Sequence, residues 1–118
     1  MKSEAERLLK AFLKTKRNRT QLTICLDRLL EAQEYCFRQI TEKELQTIDR
    51  QKHDQAEWHP AGNHVKSITL ETFQNELTKL VTVAVAELHK PEALLDFGNG
   101  LLSLANHVQR LLIDLDGK

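Results

Sequence analysis

Leu22-Thr23-Ile24-Cys25-Leu26-Asp27-Arg28-Leu29-Leu30-Glu31-Ala32-Gln33-Glu34-Tyr35-Cys36-Phe37-Arg38-Gln39-Ile40 is the stretch that decides the fold. Its apolar residues Leu22, Leu26, Leu29, Leu30, Cys36, Phe37 and Ile40 return at helical spacing. At about 100° per residue they share one face, the pattern of a helix packed along its length. Two further runs, Leu70 to Leu88 and Leu94 to Leu115, repeat the pattern. Val81-Thr82-Val83-Ala84-Val85 is β-rich, but the unbroken period on either side decides for helix.

Composition agrees. The chain has 118 residues, enough for one core and too few for two independent ones. Four glycines, two prolines and six aromatics are too few for the turns and pleated faces of an all-β protein. The expected architecture is all-α: an antiparallel four-helix bundle in one domain, with helices at about 3–15, 20–55, 69–89 and 91–115.

Local signals set those limits. Ser3-Glu4-Ala5-Glu6 is a capping box for the first helix. The polar run Lys14 to Arg19 breaks the period, and Asn18 suits a turn or a cap. Thr41-Glu42-Lys43-Glu44 is another capping box, yet no glycine or proline interrupts the chain there, so one long second helix is expected. Trp58-His59-Pro60-Ala61-Gly62-Asn63-His64 reads as a loop near 58–66, with Trp58 folded over the core edge. Ile68, Thr69 and Phe73 form a hydrophobic staple around an N-cap. Pro91 suits the first position of the last helix. Gly98 falls within that helix's stripe, where a missing side chain permits close approach, and Gly100 falls outside it.

Lys plus Arg equals Asp plus Glu at 17 each, so no overall field draws the chain to nucleic acid or membrane. The balance hides an asymmetry. Residues 1–20 hold seven basic and two acidic residues, and residues 21–60 hold five and eight. No apolar leader follows Met1, and Leu80 to Ala86 is far short of the ~20 residues of a membrane span, so an intracellular, cytoplasmic protein is expected. Cys25 and Cys36 lie eleven residues apart, roughly 16 Å along one helix. That exceeds the ~7 Å a disulfide tolerates, so both read as small buried hydrophobes.

Three kinds of site can be weighed. His53, Glu57, His59 and His64 are metal-ligand types, and His53 and Glu57 at four-residue spacing would share a helix face; their spacing matches no established motif, and polar residues at a solvated helix end are the default explanation. Lys14, Lys16, Arg17 and Arg19 could grip phosphates, though no aromatic interleaves them. Leu95, Leu102, Leu111 and Ile113 widen the apolar face of the last helix beyond what one neighbour covers, and Ile24 and Tyr35 sit on the back of the second. Ser103 has no nucleophile elbow around it, and no convergent polar site for catalysis or a cofactor is legible. The expectation is therefore a protein–protein interaction module without catalytic activity or cofactor. It would act as an adaptor, regulator or assembly chaperone, with a homodimer or protein partner on those apolar residues. A nucleic-acid regulator comes second, and a metal protein or enzyme third.

Overall fold

The computed structural model of the chain describes residues 2–40 and 66–117. Four helices account for most of them: α1 (Lys2–Leu13), α2 (Arg19–Arg38), α3 (Leu70–Glu87) and α4 (Pro91–Asp116). There is no strand among the described residues.

The helix starts follow the local chemistry. Asn18 caps α2 by accepting from the Gln21 amide at 2.8 Å, and the Gln21 side chain accepts in return from the Asn18 N–H. Thr69 caps α3 by accepting from the Thr72 amide at 3.1 Å. Pro91 opens α4 with Glu92 in its first turn. Ser3, expected as a cap, lies inside α1, which starts at Lys2 and ends at Leu13.

Contacts at the helix ends give the directions. Arg19, at the start of α2, pairs with Asp116 at the end of α4, while Phe37, at the end of α2, packs on Gly98 near the start of α4. These two helices are antiparallel, and theirs is the most extensive packing in the bundle. The end of α1 meets the start of α3: the Ile68 amide donates to the Ala11 carbonyl at 3.3 Å, and the Thr15 and Ser67 hydroxyls lie 2.5 Å apart. The Lys2 stem lies against Gly100, so α1 runs with α4. Consequently α1 and α4 point one way, and α2 and α3 the other.

Phe12, Phe73 and Phe97 are the largest fully buried side chains, among Leu9, Leu29, Leu101, Leu104 and Val108. The Phe12 and Phe73 rings are 5.3 Å apart and tilted by 32°, which ties α1 to α3.

Three expectations need correction. The second helix, expected to reach about residue 55 as one rod, ends at Arg38 with Gln39 as its C-cap. Its last turn tightens, with Gln39 and Ile40 donating to the Cys36 and Phe37 carbonyls, and Ile40 turns into the core at 6% exposure. The Thr41 capping box and residues 58–65 of the expected loop, Trp58 included, lie outside the described residues. Leu95 adds no outer surface: it is buried in the core. Gly100 is buried too, since a Cβ there would stand 2.9 Å from Lys2 Cγ. The burial of Leu95 and Gly100 depends on which helix lies alongside, which spacing alone does not reveal.

Candidate functional site

The basic run is largely structural. Arg17 donates from Nε to the Phe12 carbonyl at 2.7 Å and from its terminal nitrogen to the Ile68 carbonyl. Its guanidinium also lies 4.2 Å over the Phe12 ring. One side chain thus closes the end of α1 and ties it to the residues leading into α3. Arg19 is engaged with Asp116, and Asp114 shares a crevice of about 280 Å³ with Lys16, Arg17, Leu111 and Leu115. Lys14 and Lys16 are exposed. The acidic end of α4 therefore compensates part of the positive charge that the sequence places in one run.

The cysteines are free and buried, as expected of small hydrophobes. Burial pushes the Cys25 thiol up to about 12, against a weaker opposing pull from Arg17, and pushes Cys36 up to about 11. Burial, then Arg110, lowers His107 from its ordinary value. His89 is exposed beyond the end of α3. The cluster His53, Glu57, His59 and His64 lies outside the described residues. Among the described residues, no group of three or more His, Cys, Asp or Glu is placed to hold a metal ion. No described helix is long and apolar enough to cross a membrane.

The apolar candidates divide. Leu111 is half-buried against the core and Leu102 is half-buried, whereas Ile113 is 60% exposed near the end of α4. Val83 is exposed on α3. Leu30, assigned by its spacing to the inner stripe of α2, is 38% exposed. Ile24 is half-buried and Tyr35 is 48% exposed.

Tyr35 stands at the lip of a groove between the parallel helices α2 and α3. The groove measures about 250 Å³ and has a floor of Ala32, Leu77 and Val81. Ile24, Arg28, Glu31 and Tyr35 recur at four, three and four residues, so they form one stripe along the α2 side. Arg28 donates to Glu31 at 2.6 Å within that stripe. Gln74, Thr78 and Thr82 make the α3 side. The Thr78 and Thr82 hydroxyls donate to the Gln74 and Thr78 carbonyls at 2.9 and 2.8 Å, which turns their methyl-bearing faces into nearly apolar wall. Sequence reading found Ile24 and Tyr35 but missed the α3 wall. Its only trace was threonine at four-residue spacing on the outer side of a helix.

A second groove, between α1 and α3, measures about 480 Å³. Leu8, Ala11 and Ile68 line it, but Glu4, Arg7, Lys66 and Glu76 crowd its edges. The arrangement as a whole offers shaped apolar surface with paired charge and no convergent polar cluster among the described residues. Comparison with models of protein families, with curated proteins and with solved structures finds no match to the chain.

Proposed function

We propose that the chain is a small intracellular protein–protein interaction module, not an enzyme, that works through the face formed by α2 and α3. One observation carries the reading: a half-exposed tyrosine stands over an apolar floor in a groove whose single cation and single anion are already paired. Interface centres are depleted of unpaired charge and enriched in aromatic residues, and tyrosine is a frequent anchor. Ile113, on another part of the surface, is an isolated apolar residue of the kind any surface carries. The nucleic-acid reading is weaker, because Arg17 is held by the Phe12 and Ile68 carbonyls and the exposed Arg19 is paired with Asp116, so part of the run's charge is already compensated.

The test is retention on the immobilised chain, challenged with cell extract and with the chain itself. Wild type and Lys14→Ala/Lys16→Ala should retain the same protein, and Tyr35→Glu should lose it. Retention unaffected by Tyr35→Glu would refute the groove. Retention of mixed RNA or DNA that vanishes with the two lysines would establish the alternative.

A further inference from the structure

We infer that the partner on the α2–α3 face is a second copy of this chain, docked so that the two α2 helices lie antiparallel across a two-fold axis. The inference rests on the reading of this face as the interaction surface, and charge complementarity gives it content. Along the exposed stripe α2 presents Ile24, Arg28, Glu31 and Tyr35 in that order: apolar, positive, negative, apolar. Ile24 and Tyr35 are centred on the same point as Arg28 and Glu31, between Leu29 and Leu30. Reversing the helix therefore sets Arg28 against Glu31 of the second copy, and Ile24 against Tyr35 of the second copy, twice over.

That is the reciprocity a two-fold interface demands. A parallel pairing in register would instead set Arg28 against Arg28 and Glu31 against Glu31, so the stripe selects orientation as well as partner. The α3 wall of Gln74, Thr78 and Thr82 carries no charge to oppose it. Arg28 and Glu31 are 46% and 64% exposed, so both can exchange their present pairing within the helix for a four-membered network.

The experiment uses the full 118-residue chain, first by sedimentation over a range of concentrations. The expected mass rises from 13.6 kDa to twice that value. Arg28→Glu and Glu31→Arg, each at an exposed position, should each weaken self-association at least about tenfold, and the double exchange should restore it. Register is read by cross-linking. Chains carrying Ile24→Cys mixed with chains carrying Tyr35→Cys should form a disulfide-linked dimer under mild oxidation. Tyr35→Cys chains alone should not, because the two sites sit roughly 16 Å from each other along the helix. A monomer at every concentration overturns the inference, and so does a dimer indifferent to both charge reversals or one in which Tyr35→Cys links to itself. A monomer that still loses a retained protein on Tyr35→Glu defeats only the second copy and leaves the interaction face standing.

Discussion

Replacing Gly98 by alanine sets two effects of known size against each other. In a helix interior alanine is favoured over glycine by about 1 kcal/mol. Against this, a Cβ at Gly98 would stand 2.5 Å from Phe37 Cε1, 3.0 Å from Cδ1 and 3.2 Å from Cζ. Comfortable carbon–carbon contact is about 3.5–4.0 Å, so the ring must move at the tightest seam of the bundle, and overpacking of this kind costs about 1–3 kcal/mol. Taking about 2 kcal/mol for the clash, Gly98→Ala should destabilise the chain by about 1 kcal/mol. Phe37→Ala removes all three of those ring atoms. In that background Gly98→Ala should stabilise by about 1 kcal/mol, giving a coupling of about 2 kcal/mol between the sites. Urea denaturation of the four proteins of the cycle, followed by helical circular dichroism, measures it. Equal effects of Gly98→Ala in both backgrounds would refute the claim that close approach of α2 and α4 requires the missing side chain.

Other perturbations reach different parts of the bundle. Arg17→Met should cost about 2 kcal/mol, from the loss of charged hydrogen bonds to the Phe12 and Ile68 carbonyls, and Arg17→Lys should not restore it, since an ammonium lacks the planar fork. Lys16→Ala in the same melts should stay within about 0.5 kcal/mol of wild type. Asn18→Ala removes the α2 cap and should cost about 1 kcal/mol, with glycine at the same position losing only a few tenths. The thiols make stability fall with alkali. Burial raises their folded values to about 12 and 11 from 9.0, so above about pH 9 the folded chain holds protons that the unfolded chain has released. Unfolding free energy should fall between pH 9 and 11 more steeply in wild type than in Cys25→Ala/Cys36→Ala; parallel slopes would contradict the burial argument.

The sequence was most legible where structure is decided within a few residues. Asn18, Thr69 and Pro91 open their helices where their chemistry places them, and Leu9, Phe12, Phe73, Phe97 and Leu104 enter the core on their period. It was least legible where a neighbour decides. Nothing in Arg38-Gln39-Ile40 breaks a helix, but the core draws Ile40 in and tightens the turn. A face as wide as that of α4 has two readings in sequence, a partner outside or several helices inside; for Leu95 it is the second. Arg17 counts in sequence as one cation among four, and only the carbonyls of Phe12 and Ile68 brought beside it make it a clamp. Tyr35 was found because an aromatic off the stripe is visible in sequence; its groove was not, because α3 supplies the other wall.

The pairing of the helices has a kinetic consequence. α2 packs chiefly on α4 and α1 lies against both α3 and α4, while the sequence neighbours α1 and α2 barely meet and α3 touches α4 only lightly. Few favourable contacts reward the early formation of either hairpin, and the loops that must close before the core forms are long. An all-helical chain wired this way depends on more distant contacts than a bundle built from adjacent hairpins, and should fold more slowly than one. For the same reason its two halves, one holding α1 and α2 and the other α3 and α4, should gain structure only on meeting. Each supplies the other's missing core, which makes the chain a natural subject for fragment complementation.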